Sequence, residues 1–287
     1  MFGSHLSIAG GLHNALREAK ALGMDCVQLF TRNQRQWNGS PLSEQELAEW
    51  RRHRRLARLE EVVCHGSYLV NLASPDPAAW EKALGLFRQE LLRCEALGIR
   101  RLVVHPGSHM GAGEQAGLVR VVEALDRLHR ELPGLKVVTC LELTAGQGSS
   151  LGWRLEQLRC VLDSAAQPER LAVCLDTAHM LAAGYRLTSG PGAQAVIQEV
   201  QAVVGLSRVA VIHVNDSKVA RGRRVDRHEH IGHGHIPLSA FRAIITHPSF
   251  ARVPKIIETP KQTAPDGRTW DAINIETLRR LVGRGRG

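Results

Sequence analysis

The 287-residue chain has no apolar stretch long enough to span a membrane as a helix, and a membrane partner is not expected. It has no break in composition and no linker. One domain is therefore expected over residues 1–282, followed by a short basic tail, 283–287, expected to be disordered with at most weak phosphate affinity. The six cysteines (Cys26, Cys64, Cys94, Cys140, Cys160 and Cys174) are scattered, and none stands in a Cys-x-x-Cys pair. That spacing argues against a thiolate metal site and fits buried thiols in a reducing compartment. The N-terminus runs straight into an apolar segment, so no signal peptide is expected and the cytoplasm is the expected location.

Acidic residues are outnumbered: 28 Asp and Glu stand against 37 Lys and Arg, giving a net charge of +9. Such a surface favours a polyanionic partner. A solvated basic face would give the same count, so charge alone leaves nucleic acid open. Of the two basic runs, 51–58 reads as the exposed side of a helix. The other, 221–227, falls in a loop after the seventh apolar run.

What the chain does have is eight short apolar runs at fairly even intervals: 2–8, 26–30, 62–65, 102–105, 137–143, 171–176, 209–216 and 255–259. Each has the length and the Val, Ile, Leu and Cys content of a buried strand. Stretches of helical periodicity, such as 77–97 and 118–132, lie between them. Alternating strands and helices predict a parallel sheet, and eight units predict one α/β (β/α)8 TIM barrel. Barrel chemistry sits at the carboxyl ends of the strands. Six runs carry a chemically capable residue there: His65, His105, Glu142, Asp176, His213 and Glu258. His179 follows Asp176 by three positions, and Asp226 and His228 alternate in the basic loop.

Singly, each of these residues has an ordinary structural reading. Together they place five imidazoles and four carboxylates at one barrel mouth, with few cations in the strands to balance them. Metal ions resolve the repulsion, and a donor set of N and O without thiolate suits zinc, with manganese or iron as alternatives. Nine donors are too many for one ion and fit two or three if a carboxylate bridges. Such a site carries net positive charge and attracts phosphate. Clustered divalent ions activate water and clamp an in-line phosphoryl displacement. A basic chain with this mouth reads as a phosphodiesterase acting on nucleic acid.

At this level of detail the chain resembles endonuclease IV, the zinc-dependent apurinic/apyrimidinic (AP) endonuclease of base excision repair. The motifs that carry the resemblance are Gly3-Ser-His-Leu-Ser-Ile-Ala-Gly-Gly, Leu29-Phe-Thr-Arg-Asn-Gln-Arg-Gln-Trp, His65-Gly-Ser-Tyr-Leu-Val-Asn-Leu, His105-Pro-Gly-Ser-His, Glu142-Leu-Thr-Ala-Gly-Gln-Gly, Asp176-Thr-Ala-His, His213-Val-Asn-Asp-Ser-Lys, Asp226-Arg-His and Ile257-Glu-Thr. The resemblance implies three zinc ions, with manganese or iron able to take one site. His65, His105 and Glu142 would hold the first. Glu142 would bridge to the second, held also by Asp176, His213 and Glu258, and His179, Asp226 and His228 would hold the third.

The resemblance further implies a deoxyribonuclease that cuts duplex DNA 5′ to an abasic site, leaving a 3′-hydroxyl and a 5′-deoxyribose phosphate, and that trims blocked 3′ ends. Glu258 and Glu142 would be the catalytic carboxylates, and Glu258 would orient the attacking water. Arg35, Tyr68 and Leu69 match residues that wedge into DNA from the minor groove to hold a flipped abasic sugar. A monomer is expected. Three positions depart from the family pattern: Leu143 stands where Asn is common, Gly66 where some relatives have Asp, and Ala178 where Cys is found. His230, His233 and His235 are expected to support the ligands from behind or to be structural. A sugar isomerase or epimerase of the xylose-isomerase type shares the metal-binding barrel, but it needs neither the third donor set nor the wedge loop. A DNA-binding protein that has lost catalysis would be free to lose donors, and none is missing.

Overall fold

A computed structural model describes residues 1–37 and 39–283. The tail beyond Gly283 lies outside the described residues. Eight parallel strands close into a barrel: β1 (Phe2–His5), β2 (Cys26–Leu29), β3 (Glu61–His65), β4 (Arg101–Val104), β5 (Val138–Glu142), β6 (Leu171–Asp176), β7 (Val209–His213) and β10 (Lys255–Ile257). β10 closes the ring against β1, pairing Ser4 with Ile257. Each apolar run of the sequence overlaps one of these strands. The first and seventh strands stop earlier than the apolar character suggests. β1 ends at His5, and the segment after His213 leaves the barrel to form a two-stranded antiparallel ribbon, β8 (Asp216–Ser217) with β9 (His228–Glu229).

Helices α1 (His13–Ala21), α2 (Glu44–Ala57), α3 (Pro77–Leu97), α4 (Glu114–Glu131), α5 (Leu155–Ser164), α7 (Gly190–Val203), α8 (Leu238–Ile245) and α9 (Trp270–Val282) pack outside, and the short, buried α6 (Thr177–Ala183) starts at the carboxyl end of β6. Their start signals are local. Ser43 and Glu46 form a reciprocal cap on α2, and Asp76 caps α3 ahead of Pro77 at its first position. The arginines of 51–58 lie along α2, mostly on its exposed side. No helix among the described residues is long and apolar enough to cross a membrane.

The strands bury two distinct apolar sets. One, including Val27, Val62, Cys64, Leu102, Leu141, Val173 and Ile257, packs against the helices. The other is small: Cys26, Val63, Val103, Cys140, Ala172, Cys174, Val211 and Ile256. These alternate with the first set along the strands and so fill the barrel interior. At β1 the place is taken by Gly3, where an added β-carbon would collide with the Cys26 carbonyl oxygen. All six cysteines are free, and five are fully buried.

Candidate metal centre

Side chains alternate along a strand, so the residue two positions beyond each interior residue points back into the barrel, one layer nearer the carboxyl end. Applying that step to Gly3, Cys26, Val63, Val103, Cys140, Cys174, Val211 and Ile256 gives His5, Gln28, His65, His105, Glu142, Asp176, His213 and Glu258. Every barrel strand thus contributes one polar residue to a single ring at the mouth. The loops add His179 from the first turn of α6, Asp226 from the β8–β9 connection and His228 from β9.

Glu142 is the hub. Its Oε2 lies 3.0 Å from His65 Nε2 and 3.1 Å from His105 Nε2. Its Oε1 lies 2.9 Å from His213 Nδ1 and 3.4 Å from His179 Nδ1. Glu258 Oε2 approaches the same His213 nitrogen at 3.2 Å, and Asp176 Oδ2 at 3.9 Å. On the outer side, Asp226 Oδ1 lies 3.2 Å from His179 Nε2 and 3.3 Å from His228 Nε2. Asp176 also reaches towards these two imidazoles, but no nearer than 3.7 Å.

All nine sequence-predicted donors therefore meet. They fall into overlapping groups with ligand spacing: His65, His105 and Glu142; Glu142, Asp176, His213 and Glu258; and Asp176, His179 and His228, with the expected Asp226 placing its Oδ1 3.2 and 3.3 Å from the last two imidazoles. Cys174 also lies within reach of Glu142 and His213. Burial, with Glu142 next, pushes its thiol far above the ordinary range.

Most of the imidazoles are held by one ring nitrogen and aim the other into the cluster. His65 Nδ1 donates to the Gly66 carbonyl at 2.7 Å, and His179 Nδ1 to the Leu143 carbonyl at 3.0 Å. His228 Nδ1 donates to the Glu258 carbonyl at 3.2 Å, and His213 Nε2 to Gln28 Oε1 at 2.8 Å. Such outer bonds fix ring orientation and raise ligand basicity. The bond to His179 comes from the Leu143 backbone, so it does not depend on the side chain at that position.

The carboxylates are held just as firmly. Asp176 Oδ1 accepts the His179 backbone N–H at 2.7 Å as the cap of α6, and Oδ2 accepts Asn215 Nδ2 at 2.7 Å. Asn215 Oδ1 in turn accepts the Glu258 N–H at 2.6 Å. Asp216 gathers the N–H groups of Gly232, Gly234 and Ile236, each at 2.9 Å, which folds the histidine-rich loop. In that loop His230 stacks on Trp270 with centroids 4.0 Å apart, a structural placement as expected.

Electrostatics bind the cluster together. Burial would raise Glu142, but the imidazoles of His213 and His105 outweigh it and hold the carboxyl well below its ordinary range. Glu258 is depressed in the same way, against burial, by His213 and His5. Burial would lower His213, yet Glu258 and Glu142 raise it to about 9. Asp226 falls to about 2 because His179 overcomes its burial. Ionised carboxylates that hold protons on imidazoles are the same groups that hold divalent cations, with release of those protons. The donor set fits zinc-type ions.

The expected wedge residues lie on two linked loops beside this mouth. Arg35 is exposed, and its loop is anchored by Arg32, which donates to Gln89 Oε1 and the Gln36 carbonyl at 2.9 and 2.7 Å. Ser67 Oγ donates to the Gln34 carbonyl at 2.7 Å, tying this loop to the one bearing Tyr68. Tyr68 is 62% exposed and stands over the mouth, its ring 5.5 Å from His65 and 5.9 Å from His105. It lines both a cavity of about 850 Å³ that reaches Glu258 and another of about 530 Å³ that reaches His179 and Asp226. Leu69 is half-buried and packs on the core. In the basic loop, Arg224 is engaged with Trp153, 4.0 Å above its ring, and Arg221 with the Gly184 carbonyl, while Arg223 and Arg227 remain exposed.

Sequence reasoning did not single out His5, Gln28 or Asn215. The signal for the first two was the two-residue step itself, and Asn215 lies inside the His213-Val-Asn-Asp motif without a donor's chemistry to mark it.

A closed parallel barrel whose mouth is ringed by imidazoles and carboxylates defines a metal-binding TIM-barrel protein, and residues 16–281 match the family described as xylose isomerase-like TIM barrel. Within it, the chain is 45% identical to a "Probable endonuclease 4" of Geobacter sulfurreducens over 282 residues, covering 98% of this chain and 94% of that one. The crystal structure of endonuclease IV from Thermus thermophilus superposes with a TM-score of 0.85 at 34% identity, covering 99% of both chains. A D-tagatose 3-epimerase-like protein, 18% identical over 98% of this chain and 96% of that one with a TM-score of 0.74, shares the fold alone. The chain belongs to the endonuclease IV family.

Proposed function

We propose that this chain hydrolyses the DNA phosphodiester bond 5′ to an abasic site, using three zinc ions held by the nine mouth residues, with manganese or iron able to serve at one position. As a member of the endonuclease IV family it is a DNA-cleaving hydrolase of DNA repair. The observation that carries the finer reading is the division of Glu142 between two sets of imidazoles, Oε2 to His65 and His105 and Oε1 to His213. One carboxylate so placed would serve two ions at once, and His179, Asp226 and His228 would hold a third.

When bound, the ions would supply Lewis acidity to the phosphate and acidify a water molecule near neutral pH. The chain's own residues do the rest. Glu258, depressed and ionised, accepts a proton from the attacking water and orients it. Water adds at phosphorus, the bond from phosphorus to the 3′ oxygen breaks on the side of His179, Asp226 and His228, and that oxygen takes up a proton from solvent to leave as a 3′-hydroxyl. The other product retains the 5′-deoxyribose phosphate. Arg35, Tyr68 and Leu69 enter the duplex and hold the abasic sugar out, which is easiest where a base is already missing. The same mouth accepts a blocked 3′ end for trimming. The protein acts as a monomer in the cytoplasm, on chromosomal DNA.

The test is Glu258→Gln. Incision of an abasic duplex should fall by about 100-fold or more while duplex affinity stays near that of the wild type. Normal turnover in this variant would remove the assigned role. Tight binding by the zinc-loaded wild type without strand cleavage would mark a damage-binding protein instead.

A further inference from the structure

A second group of metal-type donors lies on the outer wall of the barrel, away from the ring at its mouth. His13 opens α1. Glu49 and His53 lie one turn apart on α2, so they share a helix face. One donor atom from each of the three lies within 4.8 Å of the others, the same spacing that joins His65, His105 and Glu142. His53 Nε2 is 3.4 Å from Glu49 Oε2. The His13 and His53 rings lie nearly parallel, 20° apart in plane, with centroids 4.8 Å apart.

The surroundings keep this arrangement in place. Gly11, at φ +135°, leaves room for the His13 ring: an added β-carbon would sit 2.9 Å from Cε1. The Glu49 carboxylate divides, with Oε1 turned to Arg52 Nη1 at 3.8 Å and Oε2 to His53. All three residues are half-buried, shielded yet within reach of an ion. Two stacked imidazoles cannot both be charged without repulsion. Burial and the adjacent His13 hold His53 below its ordinary value. Two imidazoles and one carboxylate form a zinc set with an open fourth position, and nitrogen donors disfavour magnesium and calcium.

We propose that His13, Glu49 and His53 bind a zinc ion outside the barrel mouth, pinning α1 to α2. These two helices directly follow the β1–α1 and β2–α2 loops. Both loops line the cavity at the mouth, and the second carries Arg35. The ion would therefore brace the supports of both loops without touching the reacting groups.

Zinc content per chain tests this when wild type and a His13→Ala/His53→Ala variant are dialysed free of loose metal, exposed to zinc chloride and measured by plasma mass spectrometry. The variant should hold one ion fewer per chain, and added zinc should raise the melting temperature of the wild type more than that of the variant. Equal zinc content in the two proteins would overturn the proposal. The difference is independent of how many ions the mouth holds, so failure at the mouth and failure here are distinguishable. Should the variant not fold, diethyl pyrocarbonate labelling of the wild-type holoenzyme decides. Added zinc should protect His13 and His53, and labelling at equal rates with and without it would refute the site.

Discussion

Gln28 donates from Nε2 to Glu258 Oε1 at 2.6 Å, while its own Oε1 accepts His213 Nε2 at 2.8 Å. One neutral amide thus fixes both the carboxylate expected to orient the nucleophile and the tautomer of an imidazole expected to hold metal. Gln28→Ala should lower the single-turnover rate of abasic-site incision by roughly 10–100-fold, the usual cost of losing an outer-sphere partner. Duplex affinity should hold, because Gln28 is buried and does not face DNA. Unchanged turnover would show that Glu258 and His213 need no such support.

Glu142→Gln should be the most damaging change at the mouth. The amide keeps the shape but loses the charge that serves His65 and His105 on one oxygen and His213 on the other. Metal content should fall by more than one ion per chain and incision by about 100-fold or more. Loss of a single ion with the others intact would contradict a bridging role.

The three wedge residues should separate by their burial. Arg35→Ala and Tyr68→Ala remove exposed groups, so each should weaken abasic-duplex binding by about tenfold or more without loss of metal. Leu69 packs on the core, so Leu69→Ala should in addition cost about 1 kcal/mol of stability. Wild-type affinity should fall steeply as salt rises, because phosphate contacts release counterions. Fluorescence anisotropy across a salt series, with thermal melts alongside, measures all of these.

His129 gives a pH signature remote from the mouth. Burial in α4, with Arg170 nearby, lowers it from 6.5 to about 4. As pH falls below 6.5 the unfolded chain takes up this proton while the folded one does not. Stability is therefore lost between about 6.5 and 4 and levels off below. His129→Leu should lose less melting temperature than the wild type between about pH 7 and pH 5, by several degrees. Parallel losses would show that His129 does not carry the effect.

The barrel was legible because buried parallel strands read as short apolar runs, and because six of the metal-type residues stand at or near the carboxyl ends of those runs. His65, Glu142 and Asp176 are polar breaks at strand ends, where an unpaired charge inside a core would be costly. Gln28 and His5 follow the same two-residue step, but an amide and a lone histidine carry no obvious metal chemistry, so the ring looked incomplete. The ribbon β8–β9 left no periodic trace, since two residues are too few to alternate. Asp226 and His228 depend on that ribbon, so their alternation marked them as donors but could not pair them with His179, a grouping that only the family resemblance implied. The acceptor that holds His179 was invisible for another reason: it is the backbone carbonyl of Leu143, which every residue supplies.

The central claim is that nine side chains form one trinuclear zinc site. Anomalous scattering at the zinc edge from crystals of the fully loaded protein tests it most directly. Three peaks should appear: one among His65, His105 and Glu142; one among Glu142, Asp176, His213 and Glu258; and one among His179, Asp226 and His228. A mouth without anomalous density, or with density at a single position in the loaded protein, would contradict it.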